Sequence, residues 1–185
     1  MSRISDLVDA YARELDLSWR AGVSGGERVW MLPYSPDLER AVRAALPKFE
    51  EATRSAGRRW QVIDVSDELG RWLAHHEYAD ALFDEPEELS HSILDHFEAQ
   101  LVALLRARLA AAAPDDVVAL VGIGSVYPFL RASAVINAAD DAVRGRLLVF
   151  FPGTYDRAHY VFHLLDARDS SNYRAIVIDP QKDIA

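Results

Sequence analysis

The residues best placed to do chemistry lie where apolar runs give way to short polar segments. Gly122-Ile123-Gly124-Ser125 follows the run Val117–Val121. A glycine loop between a strand and a helix can offer backbone N–H groups to an anion. The dinucleotide fingerprint needs a third glycine three residues beyond the second, and that position holds Tyr127. A P-loop needs lysine followed by serine or threonine, and no Gly-Lys-Ser or Gly-Lys-Thr occurs. The glycines read as a tight strand-to-helix turn. Ser125 is not at the centre of a Gly-x-Ser-x-Gly elbow, and it reads as a helix cap.

The histidines offer a second kind of chemistry. In His75-His76-Glu77 adjacent side chains diverge, and His91 and His96 miss the i, i+4 step that lets a helix present two ligands together. His159 and His163 have that step, with Asp156, Asp166 and Asp169 nearby. Together they could furnish a mixed nitrogen and oxygen metal site, but nothing matches His-Glu-x-x-His. Surface or partly buried histidines are the simpler reading. Asp166 and Asp169 could pair as carboxylates, yet Arg168 stands between them, which favours an ion pair and a turn cap over acid–base work. No catalytic, metal-binding or cofactor-binding residue is assigned, and no enzyme is expected.

These groups sit in a chain of 185 residues, half of them hydrophobic and 26% charged, a composition that suits one globular domain. With 29 acidic against 20 basic side chains the net charge is −9. A duplex-binding protein normally presents a basic field, so direct nucleic-acid binding is not expected. Arg54, Arg58 and Arg59, and Arg106 with Arg108, read as solvated helix ends. There is no cysteine, which removes disulfides and thiolate metal sites. No apolar run approaches the roughly 18–20 residues of a membrane span, and Met1–Asp6 lacks a signal-peptide pattern. A cytoplasmic protein is the expectation.

The elements that must position these groups follow from periodicity. Ile4, Leu7, Val8, Tyr11 and Leu15 predict an N-terminal helix, assigned with its tail to residues 1–21 and favoured to pack on the core. Gly22–Gly26 reads as a linker, and 27–185 as the main domain. Val29–Leu32 predicts a strand, and Ser35-Pro36 the start of a helix interrupted or kinked near Pro47. Trp60–Val65 predicts a second strand, and Ser66-Asp67 a shorter helix. Asp84-Glu85-Pro86-Glu87 reads as the start of a long helix carrying Leu89, Ile93, Phe97, Leu101 and Leu105. Val117–Val121 and Leu147–Phe151 read as strands covered on both faces, joined by a helix from about Ser125 to Ala139, with Ile176–Ile178 as a last strand. The order predicts an α/β three-layer sandwich, its mostly parallel sheet of about five strands flanked by helices, with no P-loop. Four strand ends then share one edge, at Pro33–Asp37, Asp64–Asp67, Gly122–Ser125 and Pro152–Tyr155, and any ligand site belongs there.

The stretch Gly145-Arg146-Leu147-Leu148-Val149-Phe150-Phe151-Pro152-Gly153-Thr154-Tyr155, with Leu164-Leu165-Asp166-Ala167-Arg168-Asp169 and Asn172-Tyr173, resembles the BrxB-like family of bacterial BREX phage-defence proteins. Trp60–Val65, Glu85–Leu89 and Val121–Ser125 support the likeness. The resemblance implies a small non-catalytic component that works beside PglZ, the alkaline-phosphatase-like member, a large ATPase and a DNA methyltransferase. No enzymatic activity is attached to the family, so no catalytic residue carries over. Where relatives commonly continue Gly-Trp-Asn-Tyr, this chain has Ser170-Ser171-Asn172-Tyr173, which removes an aromatic anchor of the kind enriched in binding hot spots.

The expected role is an adaptor that binds other BREX proteins, the PglZ-like component above all. The candidate interaction or structural corner comprises Pro152, Gly153, Thr154, Tyr155, Asp166, Arg168, Asp169, Asn172 and Tyr173. Its polar members would hold the Pro152–Tyr155 turn, with Tyr127, Tyr155 and Tyr160 forming either a contact surface or an interior. A degenerate nucleotide-binding domain, retaining a ligand at Gly122–Ser125 without hydrolysis, is the alternative. A metal-dependent hydrolase using His159, His163 and Asp166 is the third.

Overall fold

The computed structural model describes residues 4–17, 19, 26–84, 91–165, 167–170 and 175–180. Seven strands and six α-helices are described: α1 (Ile4–Leu17), β1 (Val29–Tyr34), α2 (Glu39–Ser55), β2 (Arg59–Asp64), α3 (Glu68–Ala74), α4 (Ala79–Asp84), α5 (His91–Ala111), β3 (Asp116–Val121), α6 (Ala132–Asn137), β4 (Arg146–Asp156), β5 (Val161–Leu164), β6 (Ala167–Ser170) and β7 (Ile176–Val177). Five strands run parallel in the order β2-β3-β4-β1-β7. The expected α/β sandwich is the one observed.

Strand period explains the three layers. On β4, Leu147, Val149 and Phe151 join one buried cluster with Phe97, Leu101 and Leu105 of α5 and Val135 and Ile136 of α6. Leu148 and Phe150 face the opposite way and join Tyr11 of α1 with Val42 and Phe49 of α2. Side chains alternate across a strand, so a strand between two helical layers must be apolar at every position. The described residues of β3 and the first eight of β4 are buried without a break. The edge strand β2 is mostly exposed and buries Ile63 alone.

The N-terminal helix packs on α2. Leu7 and Tyr11 are fully buried, the Tyr11 hydroxyl lies 2.6 Å from Thr53 Oγ1, and its ring meets those of Phe49 and Trp30. Gly22–Gly25 lie outside the described residues.

Several local expectations change. Helix α2 runs unbroken through Pro47; the proline is exposed, where the carbonyl left without a partner can reach water. Asp84 ends α4 instead of opening the long helix, and Glu85–Ser90 lie outside the described residues. The single helix expected over Ser125–Ala139 is two pieces: a 3₁₀ turn at Ile123–Val126 and then α6. Between them Tyr127 is extended, as a residue before proline prefers, and Pro128 has no N–H to continue the ladder. Finally, β4 does not stop at Phe151. Its last residues leave the parallel sheet and pair antiparallel with β5, which pairs with β6. Asp156 sets the turn by accepting the N–H groups of Ala158 at 2.9 Å and His159 at 3.3 Å, an Asx turn.

Candidate functional site

The carboxyl ends of β1 to β4 open on one cavity of about 580 Å³. β1 contributes Pro36 beyond its end, β2 contributes Asp64, Ser66 and Asp67, β3 contributes Gly122, Gly124 and Ser125, and β4 contributes Pro152. Glu39 and Arg43 enter from the first turns of α2, and Leu165 from the turn after β5. The volume falls within the range of small-molecule sites.

Arg43 is the hub of its polar wall. Its Nε donates to Glu39 Oε1 at 2.7 Å, Nη1 to Asp64 Oδ2 at 2.8 Å, and Nη2 to Ser66 Oγ. Ser66 Oγ in turn donates to Asp64 Oδ1 at 2.6 Å, and its backbone N–H reaches the same oxygen at 3.0 Å. The Tyr34 hydroxyl donates to Glu39 Oε2. Burial, and then the Glu39 carboxylate, push the Tyr34 phenol well above its ordinary value. Burial alone would raise Asp64; hydrogen bonds from Ser66 and the Arg43 guanidinium outweigh it and hold the carboxyl below the ordinary range. Burial works against the charge on Arg43, and the contacts with Asp64 and Glu39 overcome it.

The glycine loop is spent on structure. Gly122 has φ +81°, and a Cβ there would strike the Ser66 hydroxyl and lie 2.7 Å from the Ser66 nitrogen; only glycine fits this turn. Around the loop, Ser125 N donates to Gly122 O at 2.9 Å, Tyr127 N to Gly124 O at 3.3 Å, and Val65 N to Val121 O at 3.0 Å. Ser125 Oγ donates to Gly122 O at 2.8 Å, with Val65 O at 3.2 Å. The serine closes a turn from inside the 3₁₀ segment and is not the expected helix cap. It donates to a carbonyl, and the N-cap positions are Gly122 and Arg131, without side-chain caps.

The expected corner divides. Pro152 lines the main cavity. Gly153, Thr154 and Tyr155 line a smaller cavity of about 200 Å³ with Tyr34 and Ile178. Tyr155 is half-buried against Phe162, ring centroids 4.6 Å apart, whereas Tyr127 and Tyr160 are exposed. Arg168 and Asp169 belong to β6, with Arg168 opposite His163. Asp166, Asn172 and Tyr173 lie outside the described residues, as do the Arg168 and Asp169 side chains. His159 and His163 are on a hairpin, one in the turn and one in β5. His159 Nδ1 lies 2.7 Å from Asp156 Oδ2, and among the described residues no three His, Asp or Glu side chains gather for a metal.

Glu39 and Arg43 escaped the sequence reading. Their signal was an i, i+4 acid–base pair just past the first strand, which looks like any exposed helical pair until β2 is placed beside it. The arginines flagged as basic clusters are mostly answered locally: Arg54 by Glu50, Arg58 by Asp115, Arg59 by Asp116, and Arg106 by Asp141.

Fold and site together define an α/β domain with an acidic pocket at the carboxyl edge of a parallel sheet. The family model for the BREX protein BrxB matches residues 65–178. The chain belongs to the BrxB family, and membership implies a component of a BREX phage-defence system. It is also similar to a BREX protein BrxB from Bacillus cereus (strain H3081.97), with 40% identity over 63 residues. That stretch is 34% of this chain and 32% of the relative, so the match spans about a third of the relative's length. No solved structure matches.

Proposed function

We propose that the protein is a non-catalytic adaptor that binds another BREX protein, with the PglZ-like phosphatase-family component as the first candidate. The inward commitment of the pocket's polar groups carries this reading. Arg43 is held by three partners, Ser125 closes its own turn, and Ser66 is bound to both Asp64 and Arg43. A nucleophile needs a base within reach. Among the described residues Ser125 Oγ meets only backbone carbonyls, which are not bases. The carboxylate beside Ser66 is held below its ordinary range by the Ser66 and Arg43 bonds, which makes it a weak base. An acidic molecule with locally answered arginines also suits a basic protein surface better than phosphate.

Co-purification of the tagged chain with its operon neighbours, followed by size-exclusion chromatography with light scattering, tests the reading. A stoichiometric complex with the PglZ-like protein is expected. A folded chain that captures no BREX protein would overturn the proposal. The cavity volume favours one second reading, a retained nucleotide ligand. A melting temperature unchanged by ATP or GTP with magnesium would retire it, since ligand at a hundred times its Kd adds about 2.7 kcal/mol of stability.

A further inference from the structure

The pocket at the carboxyl edge has a charge balance opposite to that of a phosphate site. Glu39, Asp64 and Asp67 face it with Arg43 as the cationic group among its described lining residues. Arg43 already neutralises Glu39 and Asp64 at hydrogen-bond distance. Asp67 is 76% exposed and lies 3.7 Å from Arg71, itself 65% exposed, a separation and exposure at which an ion pair is weak. At this edge the Ser125 N–H is bonded to Gly122 O and the Ser66 N–H to Asp64 Oδ1. Pro36, Pro152 and Leu165 supply an apolar wall. An alkyl stem ending in a positive charge matches both parts, because lysine and arginine lay their methylenes on apolar surface and keep the charge at its edge.

The neighbouring loop favours a protein as the bearer of that charge. Directly after Ser125, Tyr127 and Phe129 are 41% and 38% exposed. Exposed aromatics are enriched among the residues that anchor protein interfaces, and these two follow closely in the chain on Ser125, which lines the cavity.

We propose that this pocket receives a lysine or arginine side chain from a basic segment of a BREX partner protein, with Asp67 as its carboxylate acceptor and Tyr127 and Phe129 as the aromatic rim. The inference rests on the adaptor reading and adds the place and chemistry of docking to it.

The test measures Kd between the purified full-length chain and the BREX protein that it captures, by biolayer interferometry at two salt concentrations. Asp67→Lys should weaken binding by about tenfold or more, whereas Asp95→Lys, the same charge change on an exposed position of α5, should change it less than about twofold. Phe129→Ala should also weaken binding, and the wild-type Kd should rise with salt. Asp67 makes no side-chain cap bond to α3, so both charge variants should retain the wild-type circular dichroism; Asp67→Asn, expected to weaken binding by about threefold, removes the charge without reversing it. Equal affinities for wild type, Asp67→Lys and Asp95→Lys would overturn the pocket assignment and leave the adaptor reading intact. A wild-type chain that binds no BREX protein would overturn both.

Discussion

Asp116 shows how far one buried side chain can matter here. At 2% exposure it opens β3, and its carboxylate accepts the Ala113 N–H at 2.9 Å, Arg59 Nε at 2.6 Å and Gln61 Nε2 at 2.6 Å. Burial alone would raise its pKa; the Ala113 backbone bond, then Arg59 and Gln61, outweigh burial and lower it from 3.8. A depressed folded pKa means stability that is fully present above the unfolded value and lost as pH falls through the folded one. Asp116→Asn should therefore cost about 1–3 kcal/mol at neutral pH, because a neutral amide cannot serve three donors. The deficit should begin to shrink as pH drops below about 4, where the unfolded carboxylate protonates, and go on shrinking towards the lower folded pKa. Urea denaturation of both proteins from pH 7 to pH 3 checks this, and a deficit independent of pH would refute it.

At the scale of elements, the docking of α1 is the informative case. Amphipathic spacing made Ile4–Leu17 a helix, but that spacing fits a cis contact or a partner equally well. Tyr11 decides it, with its ring among Trp30, Phe49 and Trp60 and its hydroxyl on Thr53. Tyr11→Phe keeps the ring and removes one buried hydrogen bond, while Thr53 retains its bond to Phe49 O at 2.7 Å. The expected loss is about 1 kcal/mol, seen as a lower urea midpoint with an unchanged m value. A changed m value would mean that α1 had come away. The β5–β6 hairpin is the element that periodicity missed. Its four-residue strands are short, and the i, i+4 histidines His159 and His163, in the β4–β5 turn and in β5, mimic helical spacing.

Across the whole molecule, the two buried clusters share their strands. β3 and β4 each send alternate residues to both faces, so loosening one helical layer strips the strands that hold the other. Unfolding in urea should follow one transition. Trp30 and Trp60 lie with one cluster and Trp72 with the other, so tryptophan fluorescence and far-ultraviolet circular dichroism should give coincident curves. Separate midpoints would show that α1 and α2 leave before α5.

Alternation of apolar runs with amphipathic segments was enough to specify a parallel sheet between helices, because burial on both faces forces continuous hydrophobic strands. The same logic placed four strand ends on one edge before any side chain was positioned. The residues of the BrxB resemblance also stand in the chain itself. Tertiary structure alone decided what that edge contains. Glu39, Arg43, Asp64 and Ser66 come from a helix and a strand that sequence spacing cannot bring together, and their hydrogen bonds exist because α2 returns the chain to the far edge of the sheet. The break at Tyr127-Pro128 and the continuation of β4 into a hairpin were likewise settled in three dimensions. A helical period can be written into a segment that proline, or pairing with a neighbouring strand, then prevents from becoming a helix.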